Sequence, residues 1–190
     1  MRSLLLAGGR SSRMGKDKAM IKIDGIAMIQ RVAQALAEAG REPIRIAVST
    51  PEKIEEYSTE IDSSLDVEWV LDGEQYAGPV DAILESLNDP QCANIDSVQL
   101  ATVDVPWINH KVFWDLEKSL SENDVLAMPA DPKRAHPLLS LIRPTELLKL
   151  LENWKGAPLH ETFSEYPHTL LMIDSTLLRN VNQPSDLDYN

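Results

Sequence analysis

Short apolar runs alternate along this chain with longer stretches whose apolar residues recur every three to four positions, and this alternation restricts the fold more than any single residue does. RSLLLA (2–7), IRIAVS (44–49), VEWVL (67–71), SVQLATVD (97–104), DVLAMPA (124–130), PLLSLI (137–142) and HTLLMID (168–174) read as strands. Between them, IAMIQRVAQALAEAG (26–40) has Ile26, Ile29, Val32, Ala33, Leu36 and Ala37 on one helical face, with Gly40 placed to close it. GPVDAILESL (78–87) and PTELLKLLENW (144–154) begin helices on proline, NHKVFWDLEKSL (109–120) has Asn109 as a candidate N-cap, and PEKIEEY (51–57) reads as a solvated helix face. NVNQPSDLDYN (180–190) reads as an extended tail. Strands alternating with helices predict an α/β fold: a mostly parallel sheet with helices on both faces, residues 1–190 forming a single domain. In such sheets ligands bind outside the carboxyl ends of the strands. Polar and glycine-rich sequence gathers at three of those ends, after Ala7, after Leu71 and at Asp104.

The charge distribution narrows the class of ligand. The chain of 190 residues carries a formal net charge of −12, which argues against nucleic acid or an anionic membrane as a general partner. One segment departs from that balance. From Arg10 to Lys22, Arg10, Arg13, Lys16, Lys18 and Lys22 oppose only Asp17, so five cations less one acid leave +4. A local cationic patch on an anionic body suits a small, highly charged anion. Cys92 is the only cysteine, so no intrachain disulfide can form, in keeping with a reducing compartment. The apolar run Leu4–Ala7 is too short for a signal-peptide core or a membrane span, and a cytoplasmic protein with no membrane partner is expected.

The cationic segment lies in LLLAGGRSSRMGKDK (4–18), directly behind the first strand. Five residues separate Gly9 from Gly15 and Lys16 is followed by Asp17, so the P-loop spacing fails; Gly8-Gly9 also lacks the dinucleotide fingerprint. What remains is a long glycine loop whose backbone N–H groups can curl around phosphates, with Arg13 and Lys18 adding charge. His110, His136, His160 and His168 lack metal-ligand spacing and read as surface or packing residues.

The whole string resembles the signature L-A-G-G-x-S-x-R-M-G-x-D-K of the nucleotidyltransferases. Leu6, Ala7, Gly8, Gly9, Ser11, Arg13, Met14, Gly15, Asp17 and Lys18 match it in order and spacing. It is most similar to the molybdenum cofactor guanylyltransferase family, whose fold is Rossmann-like. Further landmarks follow in order: Asp72 closing a strand, GPVDAI (78–83) for G-P-L-A-G, TVDVP (102–106) for C-D-x-P, and NVNQPSDL (180–187) for N-I-N-T-P-x-D-L. Asp81 and Ala82 depart from the usual Ala-Gly, and Val103 stands where a cysteine is usual before the aspartate.

The resemblance implies transfer of GMP from GTP to the phosphate of molybdopterin or molybdenum cofactor, with Mg²⁺ as cofactor and pyrophosphate as leaving group. It implies Arg13, Lys18 and Asp104 as catalytic residues, with Asp104 on the metal. Leu6, Ala7, Gly8, Gly9, Lys18, Ser49, Asp72 and Asp104 would hold the nucleotide. Gly78, Asn180 and Asn182 would face the acceptor, and a cofactor-delivery or acceptor protein is a candidate transient partner. A cytidylyltransferase, a sugar-phosphate nucleotidyltransferase or a catalytically silent nucleotide-binding module on the same fold are the alternatives. The short chain leaves little sequence for a separate sugar-binding domain.

Overall fold

The computed structural model describes residues 2–8, 17–72, 78–90, 95–151, 154 and 156–187. Its centre is a seven-stranded sheet built around β1 (Ser3–Leu6), whose leucines are almost wholly buried. On one side β1 pairs in parallel with β4 (Ile44–Val48), which pairs in parallel with β5 (Val67–Leu71). On its other side β1 pairs in parallel with β6 (Val98–Thr102), so that Leu5 lies between Ile46 and Ala101. Beyond β6 come β8 (Leu141–Ile142), β7 (Leu126–Ala130) and β9 (His168–Met172). Only β8 runs antiparallel to its neighbours.

The chain first steps outward from β1 through β4 to β5, then returns past β1 to β6. Right-handed crossovers made in opposite directions place their helices on opposite faces of a sheet. Accordingly α1 (Met28–Glu38), α2 (Pro51–Ser58) and α4 (His110–Ser119) cover one face, and α3 (Pro79–Leu87), α5 (Pro144–Leu151) and α6 (Leu159–Ser164) the other. Side chains alternate between faces along each strand. Leu5, Ile44 and Ile46 pack with Val32, Leu36 and Phe113, whereas Leu4, Leu6 and Leu100 pack with Ile83, Leu147 and Phe163.

Local signals act largely where the sequence places them. Gly40, at φ +70°, follows α1; the Gly40 amide donates to Ala37 and the Arg41 amide to Leu36, so the last turn's carbonyls are satisfied by a Schellman closure. Asn109 caps α4, its side-chain oxygen accepting from the Val112 amide at 3.3 Å. Three expectations need correction. Ile26 is not helical: it lies in β3 (Ile26–Ala27), paired with β2 (Lys22–Ile23) across a turn in which Asp24 and Gly25 both have positive φ. PLLSLI is a strand only at Leu141–Ile142, because Pro137 opens a 3-10 turn over Pro137–Leu139. The tail is not wholly extended, since Pro184–Leu187 forms another such turn. No helix among the described residues is long and apolar enough to cross a membrane.

One buried cation braces the β4–β5 edge. Arg45, with 2% of its side chain exposed, forks onto Glu68 at 2.9 and 2.8 Å, reaches Asp89 at 2.9 Å and donates to the Ser86 carbonyl at 3.1 Å. Arg45→Ala leaves a cavity and an unanswered carbonyl, and is expected to cost about 3 kcal/mol of stability. Urea unfolding checks this; a loss below about 0.5 kcal/mol, the range of ordinary surface changes, would contradict the brace.

Candidate active site

Because β1, β4, β5 and β6 are parallel, the residues that follow them emerge at one edge of the sheet. Ala7 and Gly8 follow β1, Ser49 follows β4, Asp72 follows β5 and Asp104 is the second residue after β6. Backbone bonds hold these ends in place: the Ala7 amide donates to Ala47, Asp72 to Val48 and Val103 to Leu6.

Two groups of residues form there. In the first, the Asp72 carboxylate leans across the end of β4 toward β1. A Cβ built on Gly8 would lie 2.7 Å from Asp72 Oδ2 and 4.0 Å from the Ser49 amide nitrogen. Glycine at position 8 lets this carboxylate lie against the end of β1, where a side chain would push its tip aside, a reason not legible in the loop alone. Asp72 Oδ1 is buried and has no hydrogen-bond partner among the described residues. Burial, and secondarily the charge of Glu85, pushes this carboxyl above its usual range.

The second group joins three distant parts of the chain. Lys18 Nζ donates to Asp104 Oδ1 at 3.1 Å and to Asn182 Oδ1 at 3.0 Å. The tail reaches this point because the Val181 amide donates to the Asp104 carbonyl at 2.8 Å, while the fully buried Val181 side chain packs with Met28. Asn182 is in turn held by Asp186, whose Oδ2 accepts from the Asn182 and Gln183 amides at 2.7 and 3.0 Å. The Asn182 amide is the main cause holding the Asp186 carboxyl below its usual range.

Lys18 itself stands on an anchored turn. Asp17 Oδ1 accepts from the Ala19 amide at 3.1 Å, capping the 3-10 turn Lys18–Met20. Asp17 Oδ2 accepts from the Tyr57 hydroxyl at 2.7 Å and also meets the Lys53 ammonium. Burial first, and then the Asp17 carboxylate, raises the Tyr57 hydroxyl pKa, so it remains a donor. Helix α2 thus fixes the base from which Lys18 reaches Asp104. Tyr57 and Lys53 are not singled out in the sequence, and Asp186 stands within the NVNQPSDL landmark without a role of its own. Asp186 had a signal, an acid four residues after Asn182 across a proline, whereas Tyr57 had none.

The remaining expected positions are dispersed. Leu6 lies within β1; Gly78, at φ +128°, is the residue before α3. Asn180 is next to Val181, and its buried Oδ1 has no hydrogen-bond partner among the described residues. Gly9 and Arg13, with most of the cationic loop, lie outside the described residues. A groove of about 510 Å³ between α4 and β9, lined by Val112, Asp115, Leu171 and Leu177 among others, contains none of these residues.

The chemistry of the second group suits a metal–phosphate centre. A carboxylate and an amide oxygen, both hard donors, converge on one ammonium, and the same oxygens suit Mg²⁺ together with phosphate and water.

Comparison with known proteins follows the same line. Residues 3–169 match the MobA-like NTP transferase domain family. A probable molybdenum cofactor guanylyltransferase of Rhodopirellula baltica is 26% identical over 190 residues, covering 97% of this chain and 88% of that protein. Another, from Opitutus terrae, is 33% identical over 115 residues, 60% of this chain and 53% of that one, so the chain matches about half that relative's length. In structure, the molybdopterin-guanine dinucleotide biosynthesis protein A of Archaeoglobus fulgidus superposes with a TM-score of 0.71 at 18% identity, over 98% of this chain and 95% of the other.

The raised pKa of Asp72 carries a stability consequence. A carboxyl whose pKa is higher in the folded state contributes stability below its unfolded value, and loses that contribution as pH rises through the folded one. At neutral pH the ionised Asp72 therefore costs stability. Asp72→Asn is expected to raise Tm at pH 7, with the gain shrinking toward about pH 4. Thermal unfolding at both pH values checks this; an equal Tm change at both would contradict it.

Proposed function

The chain belongs to the MobA-like NTP transferase domain family, and from that premise we propose that it transfers GMP from GTP to the phosphate of molybdopterin or molybdenum cofactor. A phosphate oxygen of the acceptor attacks the α-phosphorus, the bond to the β-phosphate breaks, and pyrophosphate leaves. The observation that carries this reading is the meeting of Lys18, Asp104 and Asn182 at the carboxyl edge, one strand away from Gly8. The names of the curated relatives support the choice of substrates.

Such a displacement requires charge neutralisation and in-line placement more than proton transfer. In this reading Lys18 exchanges Asp104 for phosphate oxygens when the nucleotide arrives. Arg13, by its place in the signature, neutralises the β- and γ-phosphates. Asp104, with Asn182 beside it, would hold Mg²⁺, which supplies charge neutralisation on the phosphates. The backbone of Leu6, Ala7, Gly8 and Gly9 lies against the nucleotide, and Ser49 faces the ribose. Asp72 presents an unpartnered oxygen that wants N–H or O–H donors, which the N1–H and N2 amino edge of guanine or a ribose hydroxyl can provide. Gly78, Asn180 and Asn182 face the acceptor.

Guanine is favoured over adenine because adenine offers the opposite donor–acceptor order on that edge and would leave buried groups unpaired, at about 1–3 kcal/mol each. Calorimetry with each triphosphate and Mg²⁺ is expected to give the tightest binding with GTP. Tighter binding of CTP or ATP would overturn the guanylyl assignment and leave a nucleotidyltransferase of other specificity.

The two charged partners separate by function. Lys18→Ala is expected to lower turnover about 10- to 100-fold, the range for losing a charge-assisted hydrogen bond. Asp104→Asn keeps the shape but removes the charge, so the Mg²⁺ dependence of the rate should collapse while the fold survives. Steady-state rates across a Mg²⁺ titration, with circular dichroism as the fold control, check both. An unchanged Mg²⁺ profile in Asp104→Asn would remove Asp104 from the metal.

A further inference from the structure

The cations of this acidic chain are mostly answered by carboxylates: Lys22 by Glu60, Arg31 by Asp24, Arg41 by Glu117, Arg45 by Glu68 and Lys53 by Asp17. Arg2 and Arg143 turn instead to backbone carbonyls, and Lys149, Lys133 and Arg134 show no carboxylate partner among the described residues; of these, Lys133 and Arg134 stand together. They are adjacent and exposed, and among the described residues neither side chain forms an ion pair.

Their position is well defined. Counted through the shared partner β8, Leu126 of β7 is level with Val98 of β6, which brings Ala130 level with Thr102. The segment after Ala130 therefore projects beyond the same edge of the sheet, and about as far, as Asp104. The strands β6 and β7 are two spacings apart, about 10 Å. The tail joins the two ends directly: the Ile173 amide donates to Ala130 and the Val181 amide to Asp104, each at 2.8 Å.

The segment is also held in shape. Asp131 Oδ1 accepts from the Lys133 and Arg134 amides at 2.7 and 3.0 Å, and its Oδ2 meets His136 Nε2 at 3.0 Å. The Asp131 amide donates back to the Arg134 carbonyl, and the His136 amide to Pro129, closing a short hairpin after β7. His136 is buried, desolvation depresses its pKa, and because the Asp131 carboxylate can only accept, the ring donates to it through Nε2–H. The one carboxylate next to the two cations is thus already engaged by backbone amides and a histidine. The hairpin spends its negative charge inward and presents its positive charge outward, ordered before any ligand arrives.

We propose that Lys133 and Arg134 form an anion subsite for the acceptor, holding a second anionic group that lies about 10 Å from the phosphate that attacks. The nucleotide-side residues Gly8, Ser49 and Asp72 follow β1, β4 and β5, whereas this hairpin follows β7, on the opposite side of Asp104. The proposal rests on the reading of the chain as a transferase with an acceptor bound on the β6–β7 side. It adds that the acceptor is anionic at two separated points, which a phosphate monoester bearing a further oxyanion or thiolate group satisfies.

The test uses the full chain saturated with GTP and Mg²⁺, so that the nucleotide site is filled, and inorganic phosphate as the probe. In ¹H–¹⁵N spectra the Lys133 and Arg134 signals are expected to shift saturably, and the shift to vanish in the double variant Lys133→Gln/Arg134→Gln. Arg134→Lys should retain it in part. With molybdopterin as acceptor, the double variant is expected to raise the acceptor KM by about 10-fold or more while GTP affinity is kept. Hairpin signals that do not move, or that move equally in the double variant, overturn the subsite, as does an unchanged acceptor KM. If phosphate binds at the hairpin but the unmodified protein transfers no GMP to molybdopterin, the substrate assignment fails and the subsite stands for another anionic acceptor.

Discussion

The contact of one ammonium with two oxygens organises the functional edge of this molecule. Lys18 is 86 residues from Asp104 and 164 from Asn182, yet all three meet within hydrogen-bond distance. No local structure can bring them together. The meeting follows from β1 and β6 being adjacent and parallel, which puts the ends of both strands at one edge, and from the tail crossing back over that edge to Asp104. An ion pair with 16% and 33% of its side chains exposed adds little stability on its own. In the proposed reading, a cation and an anion stand where a metal–triphosphate, itself carrying both charges, would replace each with a better partner.

The surroundings hold that arrangement ready. Asp17 ties the base of Lys18 to α2 through Tyr57, and Asp186 ties Asn182 to its own turn. Both carboxylates act on backbone amides and neighbouring side chains, which orders the groups before ligand binds. Asp72 shows the opposite economy. Its buried oxygen has no partner among the described residues, its carboxyl is raised by burial, and it lies close against Gly8, which has no Cβ. Local instability of this kind belongs where a ligand supplies the missing donors.

Much of this was legible in the amino-acid order. The apolar runs located nearly every sheet strand, Gly40 and Asn109 marked helix ends correctly, and the carboxyl ends of the first strands marked the edge where Gly8, Asp72 and Asp104 gather. Periodicity could not separate Ile26 from the helix behind it, because an apolar residue before a helix fits both a hairpin and a helical face. Strand direction is not in the periodicity either: β8 is antiparallel because the ten residues 131–140 that return the chain from β7 are too few for a parallel crossover. Tyr57 was hidden for a different reason: its hydroxyl finds Asp17 only after β4 and α2 have folded over the first turn. Contacts made by tertiary packing leave no spacing to read.

The central claim is that this edge transfers a nucleotidyl group from GTP. Incubating the protein with Mg²⁺, molybdopterin and GTP labelled at the α-phosphorus tests it most directly. The account predicts that the label moves into a molybdopterin–guanine dinucleotide, with one pyrophosphate released for each label transferred. Label that remains in GTP, while α-labelled CTP is consumed under the same conditions, would contradict it.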